Sequence, residues 1–181
     1  MKKELRAPSQ NKNLSKRIIV YGLLTLLLAT LQTAFFPFLS FCPKTPDLIM
    51  GMLLAITLLD NEKSASVCAL GAGFFVDAIG SSGLAISPVV YLLFVLIINA
   101  FVKKVLKSFV SYLLLLIPAL IYRATATYLL VLVTELAFPR GWVFTELILP
   151  EMLATLILCL PIYFIVKLFS RTLETHGRFS F

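Results

Sequence analysis

Apolar runs of helix length, separated only by short polar groups, occupy almost the whole chain from Ile18 to Phe169. Each run reaches or approaches the roughly 20 residues that a helix needs to cross a bilayer. A chain with this much apolar surface and so few polar segments has lipid as its natural solvent. Composition agrees where it matters. Of 181 residues, 60% are apolar and only 14% are charged, against about 45–50% and 25% in a soluble domain. An ordinary soluble globule, a disordered chain and a disulfide-stapled miniprotein are excluded, and no separate soluble domain fits within the length.

The runs predict six helices. The first spans about 18–36 and the second begins at Pro46-Asp47 and ends at Leu59. Proline at the first helical position, with an acid beside the positive end of the helix dipole, suits a helix start. The third covers about 65–79, the fourth 84–102, the fifth 109–138 and the sixth 142–169. The first run is too long for the apolar core of a signal peptide, and Phe35-Phe36-Pro37-Phe38 offers no small-residue cleavage site, so it reads as an uncleaved span. The expected organisation is a basic cytoplasmic tail over 1–17, a six-helix transmembrane domain over 18–169 and a cytoplasmic tail over 170–181, both tails mobile or solvated. The second and third runs reach only about 20–23 Å and the fifth about 45 Å. Short spans thin the bilayer and long ones tilt, with Pro118 a candidate kink. A rival arrangement makes the second and third runs one re-entrant hairpin shielded by protein.

A net charge of +7 on a soluble domain would suggest nucleic acid; here it reads as topology. With the N-terminus inside, thirteen Lys and Arg residues fall on the inner side and only Lys44 and Arg140 on the outer. That bias follows the enrichment of cytoplasmic loops in basic residues. It places both termini in the cytoplasm. The three cysteines, Cys42, Cys68 and Cys159, lack ligand spacing, and the single His176 has no partner in sequence, so no metal or cofactor is expected.

Charges inside a bilayer need a reason. Glu135 and Glu146 fall near the outer surface and are set aside as solvated. Four others lie on four-residue steps that keep one helix face: Asp47 with Gly51 and Ala55; Ala65, Ala69 and Gly73 with Asp77; Ala119 and Thr127 with Arg123; Thr155 and Cys159 with Glu151. Small residues are where membrane helices pack closely. Asp47, Asp77, Arg123 and Glu151 are thus expected to face the protein interior, with Gly51, Ala69, Gly71 and Gly73 as packing positions. Two readings follow. One is an ion pair, Arg123 with Glu151 or Asp77, that sets the helix arrangement. The other is a polar site for a ligand, a proton path or a partner's helix. Asp47 and Asp77 nominally supply the two acids of an intramembrane aspartyl protease. Both lie near helix ends, whereas that chemistry needs one proton shared at close range. No Walker loop, nucleotide fingerprint, HExxH or nucleophile elbow is present, so the chain does not read as an enzyme.

Several local patterns occur together: Leu31-Gln32-Thr33-Ala34-Phe35-Phe36-Pro37, Thr45-Pro46-Asp47-Leu48, Gly71-Ala72-Gly73-Phe74-Phe75-Val76-Asp77, Gly83-Leu84 with Tyr91, and Leu149-Pro150-Glu151. Their order and spacing, over roughly residues 30–165, resemble the MreD family of bacterial rod shape-determining membrane proteins. The chain departs from the family pattern at Gly80-Ser81-Ser82-Gly83-Leu84, where a Gly-Pro-Leu-Gly-like turn is common, and at Ser87-Pro88, where a histidine or small apolar residue is usual. The resemblance implies a six-helix bundle similar to the substrate-binding component of energy-coupling-factor transporters. It also implies a non-enzymatic component of the cell-elongation machinery in the bacterial inner membrane. Its partner would be MreC, and through it the MreB filament, RodA and a class B penicillin-binding protein, with self-association left open. The rival class is a small-solute binder with a pocket lined by the four charged residues; a lipid-handling role is a third. The outer loops 39–45 and 138–142 are candidates to meet a partner or to anchor at the interface.

Overall fold

A computed structural model of the chain describes residues 7–35, 46–60, 62–79, 86–102, 107–135 and 148–178. The expectations for Cys42, Glu146, the turn at 80–84 and the loops 39–45 and 138–142 lie outside them, as do those for the side chains of Glu135 and His176. Six helices are present among the described residues: α1 (Ala7–Thr30), α2 (Leu48–Leu59), α3 (Glu62–Ile79), α4 (Ser87–Val102), α5 (Phe109–Glu135) and α6 (Leu149–Arg178). A π-helical turn, Leu31–Phe35, prolongs α1. Stretches of α1 with its π turn, of α5 and of α6, namely Ser15–Ala34, Phe109–Leu130 and Leu149–Thr172, are long and apolar enough to cross a membrane. The described residues are all helical or joined by short turns, and three helices long and apolar enough to span mark a multi-pass membrane protein.

The helix α2 is the centre of the bundle. Its twelve residues are all buried, and it packs against each of the other five helices. Its sequence, LIMGMLLAITLL, is apolar on every side, as a helix with no polar face must be when it is enclosed. At about 18 Å it is much shorter than a hydrocarbon core of roughly 30 Å. Enclosure makes that tolerable, because its ends meet protein side chains instead of lipid.

The surrounding helices are two-faced. On α4, Pro88, Tyr91, Val95 and Ile98 point inward, while Val89, Leu93, Leu96, Ile97 and Phe101 are exposed. On α5, Tyr112, Leu115, Leu116 and Ala119 are buried, and Val110, Leu114, Ile117 and Ile121 are exposed. An outward apolar surface of this extent would drive association in water; in a bilayer it is the lipid-facing surface.

Helix ends differ most from the expected ones in two places. The helix α1 already begins at Ala7, within the basic head, and α6 continues to Arg178, through the expected tail. Neither extension contains an interior breaker: Pro8 is in the first turn, where no backbone N–H is needed, and Gly177 is at the end. Pro118 lies inside α5, and Pro161 inside α6, without ending either helix.

Two glycines set how closely helices approach. A Cβ on Gly51 would collide with Cys159 Sγ and stand 3.3 Å from the Tyr112 hydroxyl. That absence of a side chain lets α2 lie against α6 and α5 together. A Cβ on Gly73 would run into the backbone of Pro88 and stand 2.7 Å from the Ser87 carbonyl carbon, so α3 meets the first turn of α4 backbone to backbone. Ala69 is fully buried on the same stripe. Gly71 departs from the packing role expected of it: it is exposed, and a Cβ there would meet nothing within 4 Å. The reason is helical period. Gly71 is two residues from both Ala69 and Gly73, which turns it about 200° round the helix from their inward face.

Candidate functional site

The N-terminal end of α2 carries a polar cluster inside the bundle. Asp47 is the N-cap residue: its Oδ1 accepts from Met50 N at 3.1 Å, satisfying one of the free amides of the first turn. The Leu48 amide donates to Gln32 Oε1 at 3.1 Å, and the Asp47 amide donates to Thr155 Oγ1 at 3.0 Å. Gln32 comes from the π turn after α1 and Thr155 from α6. Three helices are thus tied by backbone amides and two short polar side chains.

The carboxylate of Asp47 is wholly buried and is met from two further helices. The Tyr91 hydroxyl of α4 lies 3.2 Å from Oδ1 and 3.1 Å from Oδ2 and donates to the carboxylate. Arg123 Nε of α5 lies 3.0 Å from Asp47 Oδ2. The same nitrogen donates to Glu151 Oε1 of α6 at 3.1 Å. One guanidinium therefore bridges two buried carboxylates. Charges so placed are stable only when paired and hydrogen-bonded. Nearby, the Tyr112 hydroxyl donates to Cys159 O at 2.9 Å and lies 3.3 Å from Gly51 O. The Tyr122 hydroxyl donates to Val90 O at 2.8 Å.

Asp77 has a different place. Its Oδ2 accepts from the Ser87 amide at 3.1 Å, so it holds the start of α4 and takes no part in these bonds. Of the four charged residues singled out by the sequence, the structure brings together Asp47, Arg123 and Glu151, and Arg123 pairs with Glu151 and Asp47. The two acids of the protease reading are each engaged separately. The polar partners Gln32 and Tyr91 carry no charge signal; only their places in the local patterns mark them. Thr155 lies on the Glu151 stripe.

The other end of α2 is also clamped. Arg17 of α1 forms an ion pair with Asp60, whose backbone amide donates to Ile56 O at 2.9 Å. Lys107 Nζ donates to Leu59 O at 3.2 Å, where a cation complements the negative helix end. Among the described residues no group of three or more His, Cys, Asp or Glu could hold a metal ion. Cys68 and Cys159 are buried free thiols.

Comparison with protein-family models, with curated proteins and with solved structures finds no match to this chain.

Proposed function

We propose that the chain is a non-enzymatic, MreD-like scaffold of the cell-elongation machinery in the bacterial inner membrane. It would bind MreC, link through it to MreB, RodA and a class B penicillin-binding protein, and help control side-wall peptidoglycan synthesis. One observation carries the reading. Four of the patterns behind the resemblance contribute a residue to a single cluster: Gln32, Asp47, Tyr91 and Glu151. They come from four different parts of the bundle and are joined through Arg123 and the amides of α2. Patterns far apart in sequence gain a common physical reason, which is to fix one helix arrangement.

The chemistry of the cluster also favours a scaffold over a solute carrier. The Asp47 carboxylate is satisfied by the chain's own Tyr91, Arg123 and Met50 amide. Such a site holds helices in register, and the exposed apolar faces are left for other membrane helices. The thirteen-to-two division of basic residues supports both termini in the cytoplasm. The Arg17, Asp60 and Lys107 contacts would then lie at the inner end.

The test is to purify the tagged chain in mild detergent and identify what accompanies it. Recovery of a single-span protein with an extracytoplasmic coiled coil is expected. Recovery of a membrane coupling protein with two ATPases would replace the scaffold by the transporter reading.

A further inference from the structure

A slot of about 380 Å³ runs between α1 and α3. Its walls advance in matching four-residue steps, Ile18, Gly22 and Leu26 on α1 and Val67, Gly71 and Phe75 on α3. Gly22 and Gly71 give it depth, since a Cβ on either would meet nothing within 4 Å. Eight residues along a helix make about 12 Å, close to one leaflet, half of a roughly 30 Å hydrocarbon core. The Thr25 hydroxyl on the α1 wall is already engaged, donating to Tyr21 O at 2.6 Å, so the slot offers an occupant mainly apolar surface.

One end of the slot is cationic. Lys16 lies three residues before Ile19, and Lys63 four before Val67, so each continues one rim of the slot along its helix face. Both lysines are exposed, and among the described residues neither has an ion pair. Arg17 is held by Asp60; that contact ties the turn of α1 carrying Lys16 to the start of α3, so the two lysines flank the same end. Glu62 is turned about 100° further round α3 from the slot than Lys63 is. Helical side chains lean toward the helix N-terminus, which for α1 and α3 alike is away from the slot. Lys16 is the second residue of the apolar stretch Ser15–Ala34, which sets the pair at headgroup level.

We infer that this slot binds an anionic phospholipid of the adjoining leaflet, its phosphate between Lys16 and Lys63 and an acyl chain over Gly22 and Gly71. Charge complementarity calls for an anion, and basic pockets between membrane helices at headgroup level suit anionic lipids. The apolar slot that continues from the two cations calls for an amphiphile. Length separates this occupant from a partner's helix: a spanning helix crosses both leaflets, whereas a slot one leaflet deep fits an acyl chain. The assignment is independent of any role in cell shape.

The experiment uses the full chain purified in a neutral detergent, with binding of phosphatidylglycerol and phosphatidylcholine read by native mass spectrometry. Phosphatidylglycerol should be retained preferentially. Lys16→Gln and Lys63→Gln should each weaken it about five-fold, as removal of one interfacial charge predicts. Lys63→Arg should keep it, which separates lost charge from lost fold. Gly22→Leu and Gly71→Leu fill the slot from either wall and leave both cations in place; each should weaken retention at least as much as a lysine variant does. Both positions face open space, so neither change should lower the melting midpoint. Lys167→Gln, on α6, should leave retention unchanged. Equal retention of phosphatidylcholine would overturn the inference. So would full retention in both leucine variants, which would mean attraction to the headgroup without the slot. An equal loss in Lys167→Gln would reduce the site to a diffuse surface field, and equally tight binding of glycerol 3-phosphate would replace the lipid by a soluble anion.

Discussion

Replacing Arg123 by Met tests the cluster most directly. The substitution keeps a long side chain and removes the charge that both carboxylates share. Asp47 Oδ2 and Glu151 Oε1 lie 3.0 Å and 3.1 Å from the same nitrogen. With the guanidinium gone, two like charges at most about 6 Å apart would repel by at least roughly 3 kcal/mol at an effective dielectric of about 20. Removing one partner from a buried ion pair costs about 3–5 kcal/mol in other proteins. A folded protein is stable by only about 5–15 kcal/mol. At roughly 2–4 °C per kcal/mol for a chain of this size, the apparent melting midpoint in detergent should fall by roughly 6–20 °C. Asp47→Asn should be milder, because asparagine still caps α2, and Arg123 keeps Glu151. The triple variant Arg123→Met, Asp47→Asn, Glu151→Gln strands no charge and should recover much of the loss, since buried ion groups can be replaced by neutral ones at small cost. The assay is a fluorescence-detected melt by size exclusion. If Arg123→Met melts within about a degree or two of the unsubstituted chain, well short of the expected fall, or the triple variant is worse than Arg123→Met, the bridging argument is wrong.

Other substitutions address separate contacts. Gly51→Ala must push Cys159 and α6 away, so it should lower the midpoint as an overpacked core does, by about 1–3 kcal/mol, whereas Gly71→Ala should leave it unchanged or raise it slightly; the pair is read in the same melt. Gly73→Ala meets backbone instead of a movable side chain, and should lower folded yield more than Gly51→Ala does. Thr155→Val removes the acceptor for the buried Asp47 amide and should cost about 1–3 kcal/mol, visible as faster amide exchange at Asp47. Arg17→Asp should destabilise that end of the bundle, and the exchange Arg17→Asp with Asp60→Arg should restore part of the loss, as a double-mutant cycle of melting midpoints would record.

The helical architecture was legible because hydropathy reports local solvent. Runs of apolar residues mark the elements, and Pro46-Asp47 marks where α2 starts. The enclosure of α2 was legible only in part. An apolar helix surrounded by protein and one surrounded by lipid have the same composition, and nothing in LIMGMLLAITLL distinguishes them. Pairing was less legible still. A four-residue step shows that Arg123 shares a face with Ala119 and Thr127, but not which helix that face meets. The choice of Asp47 and Glu151 over Asp77 depends on α2 lying between α5 and α6. Tyr91 and Gln32 are neutral, so a search for costly buried charges passes over them. Arg17 and Asp60 look like ordinary boundary residues of two separate spans, and only adjacency makes them a pair. Hydropathy gives no sign that α1 reaches back to Ala7, because a polar segment marks the end of the apolar run, whereas a helix ends only where backbone chemistry stops it.

The two ends of α2 explain how a helix about 18 Å long can occupy the middle of a membrane protein. A transmembrane helix normally meets the interface with its own ends, where water or headgroups satisfy the free amides and carbonyls. Here two first-turn amides, those of Leu48 and Met50, are taken by Gln32 and the Asp47 cap, and a last-turn carbonyl by Lys107. Arg17 neutralises the Asp60 side chain beside it. Gln32, Arg17 and Lys107 come from outside α2, so the length of α2 is released from the thickness of the bilayer and tied to the packing of its neighbours. That makes α2 a gauge of the bundle's geometry. Any shift of α5 or α6 along the membrane normal must break the Arg123 bridge or open the contact at Gly51, and the bundle resists such shifts. Resistance of this kind suits a platform that presents fixed apolar faces to other membrane helices. A carrier must instead open its interior, and here the interior is filled by the residues of α2.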